Sequence, residues 1–189
     1  METILLSLDH FFVIEKVRYA AAIINRKRIV QESTELTFLN EVLAYCEQTH
    51  LEDYPTLEMY YQSYHMISLP SEEAEPSYSR MQIILPSMLK NLPQEELINM
   101  YMVMLNYCIG RYKGGSVDFL RDMFEVYKVI INEGLLFGTG LPVNPMIKNI
   151  VTVALKLEEY KWTEKTLLRI KDKLPETYRE GTVAYNLAN

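Results

Sequence analysis

Residues Phe119, Leu120, Met123, Phe124, Tyr127, Ile130 and Ile131 recur at steps of one, three, one, three, three and one. That spacing keeps all seven on one face of an α-helix, whereas a strand would alternate every second residue. Ser116 and Asp118 stand just before the stripe with oxygens suited to an N-cap. Gly134 follows it, where a left-handed C′ residue would close the helix.

The same period returns along the chain. Leu97, Ile98, Tyr101, Met102, Leu105, Cys108 and Ile109 follow Pro93, with Gln94, Glu95 and Glu96 in a first turn whose dipole favours acids. Asn144-Pro145 reads as a cap and first-turn proline for the stripe Ile147, Ile150, Val151, Ala154 and Leu155. After Trp162, Leu167, Leu168 and Ile170 belong to a helix that Pro175 should stop. Upstream, Leu36, Leu39, Leu43 and Cys46 mark one helix. Leu57, Tyr60, Tyr61, Tyr64 and Ile67 mark another, entered through Asp53-Tyr54-Pro55. The longest runs from about Leu8 to Arg28. Met81, Ile84, Leu85, Met88, Leu89 and Leu92 are also helical in period, but Pro86 inside them should kink or divide the helix. The expectation is an all-α chain of about eight helices and the start of a ninth. Seven Gly and eight Pro agree, since an all-β chain needs more of both for its turns.

With 49% hydrophobic and 23% charged residues the chain can build a core and is too apolar for disorder. A net charge of −6 opposes binding to nucleic acid, which draws on surplus Lys and Arg. Cys46 and Cys108 are isolated, which excludes a secreted disulfide framework and suggests a cytoplasmic protein. The opening Met1 to His10 lacks the basic region of a signal peptide. No run approaches the ~18 apolar residues of a membrane span.

Three helices carry Asn, an apolar residue, then a smaller or branched one: Asn106-Tyr107-Cys108, Asn149-Ile150-Val151 and Asn186-Leu187-Ala188, separated by 43 and 37 residues. An aromatic follows 13 residues after each of the first two asparagines, Phe119 and Trp162. Matched offsets indicate one supersecondary unit used repeatedly. On these residues the chain resembles the tetratricopeptide-like superfamily over roughly residues 93–189. The resemblance implies a right-handed α-α superhelix of two-helix repeats, eight to nine helices in all. It sets Tyr160, Thr163, Leu167 and Ile170 on the packing seam ahead of Pro175, and makes Tyr185 to Ala188 the opening of another unit. Cys108 and Val151 depart from the glycine or alanine expected at their step. The stretches Asp9 to Tyr19 and Tyr178-Arg179-Glu180 are also similar to long, uncharacterised helical proteins of Bacteroidetes bacteria.

Residues able to carry chemistry each have a plainer explanation. His10, His50 and His65 have no second His or Cys at ligand spacing, so no metal is expected. Cys46 and Cys108 sit on apolar seams as core thiols. Glu72-Glu73, Glu95-Glu96 and Glu158-Glu159 suit solvated helix ends better than an acid pair. Gly114-Gly115 and Gly138-Thr139-Gly140 follow no strand and precede no Lys-Ser/Thr, so they read as turns. Arg26-Lys27-Arg28 complements the end of the first helix.

The expectation is therefore a non-enzymatic cytoplasmic scaffold with no cofactor, one helical-repeat domain over residues 1–189, binding a protein or peptide. By resemblance its groove would use Asn106, Lys148, Asn149 and Asn186 as donors to an extended peptide. Tyr60 and Tyr64 are candidate anchors in a tyrosine stripe, although such a stripe is more often core with its hydroxyls at the boundary. The alternative is a purely structural segment of a larger helical array. Ending near Ala188 without a polar capping helix would fit such a fragment, or a homodimer through the uncapped face.

Overall fold

The computed structural model describes residues 2–27, 36–140 and 142–174. Among these every regular element is helical. The chain divides into two compact units, Met1–Leu92 and Pro93–Asn189.

The first unit holds α1 (Glu2–Lys27), α2 (Leu39–Gln48), α3 (Pro55–Ser68) and α4 (Glu75–Ser87), with α3 packed against both α1 and α4. On α1 the buried residues Val13, Val17, Ala20 and Ala21 recur at helical spacing. The two alanines allow a neighbouring backbone close approach. Leu57, Met59, Tyr60, Met66 and Ile67 of α3 and Met81, Ile84 and Leu85 of α4 complete this core. Pro55 occupies the first turn of α3, where its missing N–H costs nothing.

Pro86 divides its stripe. Without an N–H it makes no bond back to the Gln82 carbonyl, α4 ends one residue later at Ser87, and Met88 to Leu92 continue as turns in which Asn91 and Leu92 donate to the Met88 carbonyl. Leu36 lies before α2, which opens after Phe38 in a left-handed conformation (φ 61°). Val42 is the buried partner of Cys46 on that helix.

The second unit runs α5 (Gln94–Lys113), α6 (Phe119–Asn132), α7 (Val143–Lys156) and α8 (Tyr160–Ile170), each packed on the next. The end of α6 is a Schellman motif. Gly134 takes φ 71° and donates to the Ile131 carbonyl, while Leu135 N–H reaches the Ile130 carbonyl at 3.0 Å. Leu135 and Ile130 are both fully buried, so the motif also seals apolar surface.

One expected cap is not made, and another residue expected as a cap lies inside its helix. Asp118, at the N-cap of α6, already has helical dihedrals and forms no side-chain cap bond, because the chain enters through a tight turn (Leu120 N–H to Val117 O, Arg121 N–H to Asp118 O). An N-cap oxygen needs an extended backbone to reach back. Likewise α7 is capped at Pro142, so Asn144 and Pro145 both lie inside its first turn. Of the four seam residues in α8, Thr163, Leu167 and Ile170 are buried and Tyr160 is exposed. Pro175, Asn186 and the expected ninth helix lie outside the described residues.

Candidate functional site

Helices α5 and α7 correspond in detail. Asn106 precedes Lys113, the last residue of α5, by seven positions, and Asn149 precedes Lys156, the last of α7, by the same seven. Seven residues are two helical turns, so each Asn shares a face with its terminal Lys. The step after each Asn is buried in both helices: Tyr107 and Cys108 in α5, Ile150 and Val151 in α7.

Their outward faces are rich in hydrogen-bond donors. From Asn99 onward the exposed residues of α5 are Asn99, Asn106, Gly110 and Lys113; those of α7 are Pro145, Lys148, Asn149, Thr152 and Lys156. None of these is a carboxylate, although Glu95, exposed in the first turn of α5, precedes Asn99 by four residues on the same face. Lys156 Nζ donates to Tyr112 Oη at 3.2 Å and lies 5.1 Å from the centre of the same ring, joining the C-terminal ends of α5 and α7. Sequence reasoning missed Asn99 and Lys156. The signal for Asn99 was present, since it stands seven residues before Asn106 on the same helix.

The even-numbered helices meet as well. Phe124 of α6 is edge-on to Trp162 of α8 with ring centroids 4.7 Å apart, and Arg169 donates to the Asn132 side chain at 2.9 Å. Arg121 binds Glu159 at 2.8 Å, which gives one member of that acid pair a structural partner.

The tyrosine stripe separates by depth. Tyr60 is 3% exposed and belongs to the core, while Tyr61 and Tyr64 are half-buried and flank His65, with ring centroids 4.4 and 5.6 Å away. A core ring such as Tyr60 offers no surface to a partner. His65 Nε2 is buried without a hydrogen-bond partner. Burial lowers its pKa from 6.5, against an opposing contribution from Glu47. As pH falls below the unfolded value of 6.5, the unfolded chain therefore takes up the proton first. The stability from neutral His65 is complete above that pH and is lost as pH falls toward the folded value. Thermal melts at about pH 7.5 and about pH 5.5 should show a larger drop in Tm for wild type than for His65→Phe.

Elsewhere the side chains are arranged for packing. Cys46 and Cys108 are fully buried, and burial, then Glu47, pushes the Cys46 thiol up to about 11, far from a reactive thiolate. Burial likewise raises Tyr101 and Tyr127 to about 12. Gly115, Gly138 and Gly140 occupy positive-φ turns between helices. Among the described residues no cluster of three His, Cys, Asp or Glu could hold a metal ion, and no helix is long and apolar enough to cross a membrane. Between α7 and α8 lies an apolar crevice lined by Ile147, Val151, Trp162, Thr166 and Ile170, with about 10 Å³ of free space. That is about one water molecule's room, too little for a substrate.

No family model, curated protein or solved structure matches the chain.

Proposed function

We propose that the chain is a non-catalytic helical-repeat scaffold whose second unit binds an extended protein segment bearing carboxylates. In this reading α5–α6 and α7–α8 are successive two-helix repeats of a right-handed, tetratricopeptide-like superhelix. Contacts of α5 with α7 and of α6 with α8 support such stacking, because each pair then lies on the next in the same order. Asn106, Lys148 and Asn149 donate to the segment, with Asn99 and Lys113 extending the row. The observation that carries the reading is this matched row of donors, Asn99 to Lys113 and Lys148 to Lys156, exposed on two helices. Amide and ammonium donors suit carboxylate groups, and a preformed helical surface binds without first paying an ordering cost. Cys46 and Cys108, buried and in no disulfide, fit a cytoplasmic location.

The test is affinity capture with wild type and with an Asn106→Ala/Asn149→Ala variant of unchanged helix content, followed by titration of the captured partner's binding segment. Each hydrogen bond to a charged acceptor contributes about 1.5–3 kcal/mol, so losing two should weaken binding at least ~100-fold. Equal affinity for both chains would remove the two asparagines from the site.

A further inference from the structure

Helix α1 is apolar on two opposite sides. Val13, Val17, Ala20 and Ala21 face the core of the first unit. The other side carries Leu8, Phe11, Phe12 and Tyr19, exposed by 62%, 62%, 51% and 59%. Their steps of three, one and seven place them on a single stripe, with Glu15 at its centre and the small, exposed Ala22 at its far end. Scattered exposed hydrophobics are ordinary, but three large aromatics and a leucine in line on one helix are not.

We propose that this face pairs with the same face of a second copy, α1 crossing α1 antiparallel about a two-fold axis between residues 15 and 18. Three features favour a second copy. The stripe is self-complementary in charge: Glu15 and Arg18, now paired with each other at 2.6 Å, lie on opposite sides of the axis, so each Glu15 comes beside Arg18 of the other copy. It is complementary in size, because the same crossing sets Phe11 over Ala22 and leaves Tyr19, with the Arg18 guanidinium 5.1 Å from its ring, to flank the centre. Its area is close to what a dimer needs. Aromatic side chains present roughly 150–250 Å² each, so three of them a little over half exposed, with Leu8 beside them, offer on the order of 400–500 Å² per copy. The two copies together approach the roughly 1,000 Å² of a specific interface before any rim is counted. A membrane surface suits the stripe less, since it holds an acid at its centre and the chain is net negative. This inference is independent of the donor row on α5 and α7.

The test is sedimentation equilibrium across micromolar concentrations of wild type and a Phe11→Lys/Phe12→Lys variant. Both positions are exposed, and circular dichroism confirms unchanged helix content. The expected result is a wild-type dimer, twice the 22.1 kDa chain, and a monomeric variant with a dissociation constant raised at least ~100-fold, as for loss of central aromatic anchors. Orientation is read by a short bifunctional thiol cross-linker on a mixture of Leu8→Cys and Asn25→Cys chains, the native thiols being buried. Antiparallel pairing joins the two different chains; cross-linking of Leu8→Cys to itself would overturn the proposed geometry. A monomeric wild type, a dimer unchanged by the lysines, or a monomer that instead sediments with anionic phospholipid vesicles would each overturn the pairing.

Discussion

Phe124→Ala should destabilise the second unit by about 3–5 kcal/mol, the range for removing a buried aromatic from a core that cannot collapse around the loss. Phe124 is 2% exposed, and its ring meets the edge of Trp162 while Lys128 and Arg121 lie 5.2 and 5.9 Å from its centre. The substitution therefore removes apolar burial, an aromatic pair and the platform beneath two cations. Trp162 is the only tryptophan in the chain, so its fluorescence follows this contact directly during urea unfolding. A loss below about 1 kcal/mol would mean that α6 and α8 do not meet through this ring.

Arg80→Met is the second large effect, and it should exceed that of Glu58→Leu. Glu58 is buried on α3, and both its oxygens accept from Arg80 on α4, through Nε and through Nη2 at 3.2 Å. The Arg80 guanidinium lies nearer the surface, with 32% of its side chain exposed, and also meets the exposed Glu52 at 3.2 Å. Removing Glu58 leaves a cation that can turn to water or to Glu52. Removing Arg80 strands a buried carboxylate, and an unpaired buried charge is among the costliest single defects. Arg80→Met should lower Tm by several degrees, and adding Glu58→Leu to it should restore part of the loss. A double variant less stable than Arg80→Met alone would rule out a stranded carboxylate as the cause.

Helix type and approximate extent were legible in the sequence because they depend on local period. The stripes around Phe124, Leu105, Ile150 and Tyr60 each lie on a helix, and Gly134 closes α6 by a motif confined to five or six consecutive residues. Asn106, Lys148 and Asn149 were also legible as outward residues, since each interrupts an apolar seam. The misreadings fell where backbone direction mattered. Asp118 and Asn144 are good cap residues by type, yet a cap depends on dihedrals that the preceding turn imposes. Tyr60 and Tyr64 looked equivalent by spacing, but one is core and the other half-buried, because α3 is covered from two sides.

What the sequence determined by itself was thus the succession of helices and the repeated Asn step, both properties of residues within a few positions of one another. Only the tertiary structure decided that Glu58 would be buried against a partner 22 residues away. It also joined α5 to α7 through Lys156 and Tyr112, and left the second apolar stripe of α1 uncovered. The reason is physical: hydrophobic period specifies that a face is apolar, but burial depends on whether another helix arrives to cover it.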